Sequence, residues 1–220
     1  MVNSFIRSVY NWMAVGLALT GGIALFASQS AFLKNLIFGN RFMFYGLIIG
    51  ELGMVFFLSA RISKIKASTA TALFLGYAAL NGLTLSFVFL VYTSSSIAST
   101  FFICAGMFAG LSIYGMVTKR DLTSVGNFMM MGLFGIILAS VVNIFMQSHF
   151  IHMLIAYAGV LIFTGLTAYD TQKIKEMAIS QPAGLGEGVA RKGAIMGALT
   201  LYLDFINLFL MLLRIFGDSD

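Results

Sequence analysis

Charge is what this chain has least of: 10% of its 220 residues are Asp, Glu, Lys or Arg, whereas 60% are apolar. A water-soluble domain carries about 25% charged residues, so a soluble globular fold is excluded and an integral membrane protein is indicated. Cysteine occurs once, as Cys104 within an apolar run. That rules out a disulfide framework, a CxxC redox pair and a thiolate metal cluster, and leaves a small buried hydrophobe. Proline also occurs once, as Pro182, so the apolar runs contain no helix breaker. Nor is there a phosphate-binding glycine loop, a GxSxG nucleophile turn or an HExxH zinc motif. His149 and His152 sit at the start of an apolar run, where interfacial histidines are ordinary, and no enzyme is expected. The excess of 13 Lys and Arg over 8 Asp and Glu is no nucleic-acid footprint, because the bases lie between apolar runs.

A helix needs about 20 mostly apolar residues to cross the roughly 30 Å hydrocarbon layer. Seven runs qualify, at about 12–32, 42–60, 68–93, 97–117, 125–146, 150–170 and 194–216. The opening MVNSFIRSVYNW leads directly into the first of them, which is too long for a signal-peptide core and reads as a retained span. Loops are short except for 171–193, which holds Pro182 and the turn-forming PAGLGEG, so residues 1–220 read as one seven-helix transmembrane domain. Arg7, Arg61, Lys64, Lys66, Lys119, Arg120, Lys173, Lys175, Arg191 and Lys192 fall on one side of the membrane, and only Lys34, Arg41 and Arg214 on the other. The positive-inside rule then predicts a cytoplasmic N-terminus, a cytoplasmic 171–193 loop and an outside C-terminus. Glycine pairs four apart, Gly46/Gly50, Gly106/Gly110 and Gly193/Gly197, are expected to serve close helix packing within the bundle.

Few ionisable groups remain inside the spans: Glu51 in LIIGELGMVF, Asp204 in LTLYLDFINLFLML, and Asp170 at the inner end of the sixth. A carboxylate at the centre of a spanning helix costs roughly 2.5–3.5 kcal/mol even on lenient insertion scales, and such residues usually mark ion pathways or proton relays. Glu51 lies ten residues before Arg61, about 15 Å along a helix, which places it near mid-bilayer. Thr200, Asp204 and Asn207 share one stripe at helical spacing, which turns Asp204 toward other helices. Asn81 in the third span and Asn143 in the fifth are further intramembrane amides, whose ordinary part is to bond across helices. Two carboxyls brought together in a low-dielectric site cannot both ionise cheaply, so a pair shares a proton and senses pH. When deprotonated, the same oxygens are hard ligands suited to a transient Ca²⁺. Asp170 and Asp204, ending and centring consecutive spans, are the candidates, with Arg61 placed to compete for Asp170.

At TAYDTQKIK (167–175) and LTLYLDFINLFLMLLRIFG (199–217) the sequence resembles the Bax inhibitor family, the transmembrane Bax inhibitor motif proteins, in its bacterial form, over essentially the whole chain. The resemblance implies an all-α membrane fold, with six helices arranged as hairpins around a central seventh. It also implies a pH-sensitive calcium leak channel, in which Asp170 and Asp204 form a hydrogen-bonded gating pair. Arg61 would latch the first aspartate, and Glu51 would be the buried acid of the second helix, on the ion's path. Asn207, Thr200 and Asn81 would be supporting polar groups. Ca²⁺ is then the permeant ion and H⁺ the gating ligand, with no permanently bound cofactor. The stretch from Lys175 to Gly193 is longer than in the shortest bacterial relatives and is expected to be a cytoplasmic excursion.

Two other functions fit the same residues. A proton-coupled cation transporter would use the buried acids as proton carriers, but no internal repeat or broken span is evident. A non-transporting interaction protein, modulating other membrane proteins through its helices, would keep the acids as structure. In each case the surroundings are the lipid bilayer, with no nucleic-acid partner, and the expected location is the bacterial cytoplasmic membrane.

Overall fold

The computed structural model describes residues 2–180 and 186–218. These form helices and connections without a β-strand among the described residues. The helices are α1 (Val2–Gln29), α2 (Ala31–Phe38), α3 (Arg41–Arg61), α4 (Ala67–Leu85), α5 (Val88–Val91), α6 (Ser94–Val117), α7 (Thr123–Met146), α8 (His149–Ser180) and α9 (Glu187–Phe216). With α4 and α5 taken together, seven helical segments are long and apolar enough to cross a membrane. The all-helical, seven-span class expected from the sequence is therefore present.

Several boundaries differ from expectation, each for a local reason. α1 begins at Val2 because the apolar stripe starts early: Phe5, Val9, Met13, Gly16, Thr20, Ala24 and Ala27 are all buried, three or four residues apart. It stops before Ser30, whose hydroxyl caps α2 by accepting the Leu33 N–H at 3.3 Å. The third span is interrupted after Leu85, where the Ser86 hydroxyl donates to the Leu83 carbonyl at 2.6 Å and so offers the backbone a competing partner.

The largest departure concerns 171–193, expected as a loop. α8 runs on to Ser180 because Thr171, Ile174 and Ala178 continue its buried face at helical spacing. α9 starts at Glu187, and its first turns are held by Arg191, stacked 5.5 Å from the Trp12 ring centre, and by Lys192, which donates to the Ser63 carbonyl at 3.0 Å. The connection thus spans far fewer residues than its polar composition implied. Pro182 and most of PAGLGEG fall outside the described residues.

The chain divides into two compact units: 1–92 with 180–202, and 93–179 with 203–220. In the first, α4 packs on α1 and α3. The α1–α4 contact is close because Gly82 lets α4 approach α1: a Cβ there would stand 2.7 Å from the Thr20 carbonyl oxygen. In the second, α6, α7 and α8 approach through Gly115 and Gly126, which face Ala168 and the Tyr169 ring, and Gly165 lies against Met129. Phe205 of α9 meets Phe101 and Phe108 of α6 edge-on, with ring centres 5.5 and 5.4 Å apart. Such edge contacts add about 0.5–1.5 kcal/mol each beyond simple burial. Cys104 is fully buried beside the Phe205 carbonyl, as a small hydrophobe.

The glycine pairs singled out from sequence behave differently. A Cβ on Gly46, Gly50, Gly106 or Gly110 would meet nothing within 4 Å, so packing within the chain does not require these four. Spacing alone does not say which way a helix face points. Along its most apolar stretch α9 is 61% buried, whereas α3 and α7 are 6% buried and expose Phe56, Phe128, Phe134 and Phe145. Apolar faces of that kind are solvated by acyl chains in a bilayer, where close packing rather than water exclusion holds helices together.

Candidate functional site

The YDTQ run on α8 places four side chains in four different jobs. Tyr169 packs against Gly126 of α7 and lies under the Lys173 ammonium, 5.4 Å from the ring centre. Thr171 donates to the Ser112 hydroxyl of α6 at 3.5 Å. Gln172 uses both ends of its amide: it accepts the Leu122 N–H at 2.8 Å and donates to the Arg120 carbonyl at 2.8 Å. Asp170 is the remaining member, and its carboxyl is hydrogen-bonded to the carboxyl of Asp204 on α9.

α9 begins at Glu187, so Asp204 stands 17 residues, roughly 25 Å, along it. It is 4% exposed, and its Oδ2 is buried with no hydrogen-bond partner. Two ionised carboxylates cannot hydrogen-bond, since both are acceptors only. A hydrogen bond between Asp170 and Asp204 therefore requires one of the two carboxyls to be protonated. Thr200 and Asn207, expected to support Asp204, spend their donors on their own helix: Thr200 on the Met196 carbonyl at 3.2 Å, Asn207 on the Leu203 carbonyl at 2.8 Å. Neither donates to the acid, because a mid-helix hydroxyl or amide finds the carbonyl four residues back before it finds a neighbour. Among the described residues no three His, Cys, Asp or Glu gather where they could hold a metal ion.

Glu51 and Asn81 belong to the other unit. Glu51 is 9% exposed; one carboxyl oxygen accepts from the Thr84 hydroxyl and the other lies 3.3 Å from the Asn81 side-chain amide. Asn81 in turn meets the Tyr202 hydroxyl at 3.1 Å, which lies 2.6 Å from the Thr20 hydroxyl. Arg61, the expected latch, is the exposed last residue of α3. Asn143 caps the turn after α7, accepting the Ser148 N–H at 3.0 Å.

Sequence reasoning missed Tyr202, Thr84, Thr20 and Gln172. An aromatic hydroxyl in an apolar helix was the available signal for Tyr202, which is fully buried and so had to find a hydrogen-bond partner. The others are small hydroxyls and one amide, individually common in spans.

A helical bundle of apolar spans with two buried acid sites defines a polytopic membrane protein. A family model described as inhibitor of apoptosis-promoting Bax1 matches residues 2–220, and the chain belongs to the Bax inhibitor family. It is 52% identical over 217 residues to the inner membrane protein YbhL of Escherichia coli K12, covering 99% of this chain and 92% of that one. It is 45% identical over 216 residues to an uncharacterized protein of Borreliella burgdorferi, with 98% and 92% covered. A protein of Rickettsia prowazekii is 44% identical over 216 residues, with 97% and 89% covered. The chain is an integral protein of the bacterial inner membrane.

Proposed function

We propose that the protein is a pH-sensitive calcium leak channel in which the Asp170–Asp204 pair is the gate. One observation carries this reading: the two carboxyls hydrogen-bond to one another inside an apolar bundle, with Asp204 Oδ2 left without a partner. A contact of this kind depends on a single proton. Removing that proton sets two negative charges side by side in a poorly screened site, so the arrangement must change. The freed carboxylates are hard, anionic oxygens of the class that draws Ca²⁺ out of water, and two of them without a third ligand favour passage over retention. Protonation state and cation access are thereby set by the same atoms. The test is calcium flux into liposomes holding the purified protein, measured across pH. Wild type should respond to pH, and neither Asp170→Asn nor Asp204→Asn should. A pH response that persists in both variants would overturn the gate, and the absence of flux at every pH would overturn the channel.

A further inference from the structure

The polar chain of the first unit contains a contact that has no hydrogen to make it unless Glu51 is protonated. Its five contacts are Thr20 to the Ala78 carbonyl at 2.8 Å, Thr20 to Tyr202 at 2.6 Å, Tyr202 to Asn81 at 3.1 Å, Asn81 to Glu51 at 3.3 Å, and Thr84 to Glu51. The Ala78 carbonyl has no hydrogen to give, so Thr20 must donate to it. That spends the only hydrogen of Thr20. The contact with Tyr202 must then use the Tyr202 hydrogen. Tyr202 has none left for Asn81, so the end of Asn81 that faces it must be the NH₂. The carbonyl end of the same amide is then turned to Glu51, an assignment the chemistry of the chain fixes rather than the heavy-atom positions, which are the same either way. An ionised Glu51 would meet that carbonyl with lone pairs against lone pairs. A protonated Glu51 donates to it and still accepts from Thr84 through its other oxygen.

With the proton the five contacts have five hydrogens, and without it they have four. The geometry points to Glu51 as a second, separate proton-binding site, a neutral carboxylic acid that donates into an amide–hydroxyl chain joining α3, α4, α9 and α1. The titratable groups near enough to sense a charge on Glu51 are Tyr77 of α4 and Tyr202 of α9, both phenols that are neutral at physiological pH. Its hydrogen-bond partners are a hydroxyl and an amide, not an ammonium or guanidinium. Glu51, expected on the cation's path, thus acquires a different part: it carries a proton as a fixed structural ligand. Nothing in this assignment depends on calcium or on the aspartate pair.

The test is infrared difference spectroscopy of the full-length protein in liposomes at neutral pH, wild type against Glu51→Gln. The wild type should show a protonated-carboxyl C=O band that is lost in E51Q, whose amide supplies both the N–H and the C=O that the chain needs. Loss of a carboxylate band instead, or of no band, overturns the assignment. Tyr202→Phe provides the second reading and serves alone if E51Q fails to fold. Without the Tyr202 hydroxyl, Asn81 is free to turn its NH₂ to Glu51, and the demand for the proton disappears. The Glu51 band should then be lost at a pH lower by about one unit or more than in wild type. An unchanged titration in Y202F overturns the proposal.

Discussion

Glu51 and Asp204 are both acids in the middle of apolar helices, both less than one-tenth exposed, and they are kept in opposite ways. Around Glu51 each oxygen has a partner on α4, Asn81 for one and Thr84 for the other. Around Asp204 there is one other acid, and one oxygen is left over. A chain of amides and hydroxyls with every hydrogen assigned has one favourable arrangement, and changing it costs several contacts at once. A pair of carboxyls joined by one proton has a different favourable arrangement for each protonation state. The first is suited to holding helices in place and the second to changing with pH. A buried carboxyl by itself therefore says little about function; the number of hydrogens around it says more.

The largest expected effect breaks the second site. Asparagine at 204 donates an N–H to Asp170 without any titrating proton, so in Asp204→Asn the contact persists from acid to alkaline conditions. The pH response of liposome calcium flux should vanish. If Arg61 is the latch that the family resemblance implies, Arg61→Gln should displace the pH at which flux changes without abolishing the change, read in the same assay. Packing around the two sites can be compared through glycine. In Gly82→Ala the new Cβ would stand 2.7 Å from backbone, the Thr20 carbonyl, which cannot yield; in Gly159→Ala it would meet Met211 side-chain atoms at 2.8 Å, which can. Thermal unfolding in detergent should show a loss of about 1–3 kcal/mol for the first, and a clearly smaller loss for the second. Thr84→Val removes one of five hydrogens from the Glu51 chain and should cost about 1 kcal/mol in the same measurement.

The smallest effect concerns a surface acid that belongs to neither site. Asp121, ahead of α7, accepts the Thr123 N–H at 2.8 Å, and the hydrogen bonds from Thr123 hold its carboxyl below the ordinary 3.8. A depressed carboxyl contributes its stability above that ordinary value and loses it as the pH falls through the folded one. Between about pH 5 and 8 the start of α7 should not change. Hydrogen exchange at Thr123 checks this.

The class of fold was legible because it follows from composition: a chain this apolar, with runs of this length, has only helices to build in a bilayer. Asp170 and Asp204 could be singled out because buried acids are rare enough to be counted. The extension of α8 was not, since Lys173, Lys175 and Glu176 read as loop charges while the buried positions between them, Ile174 and Ala178, are too few to register as a pattern. Long basic side chains let a helix carry charge at its ends without losing its apolar face. The Thr200–Asp204–Asn207 stripe misled for another reason. Helical spacing places side chains on one face, but it does not decide whether a short polar group bonds outward or back to its own carbonyls. Tyr202 went unnoticed two residues from Asp204, although two residues of helix turn it about 200° away, onto nearly the opposite face.

Gln172 bears on how motion at one residue is felt elsewhere. Its amide makes to Leu122 and Arg120 the two hydrogen bonds that a neighbouring peptide unit would make, across 50 and 52 residues of chain. The short turn between α6 and α7 is in that sense spliced onto α8, two residues from Asp170. It is a hinge pin borrowed from another part of the chain, tying the backbone on both sides of that turn to α8.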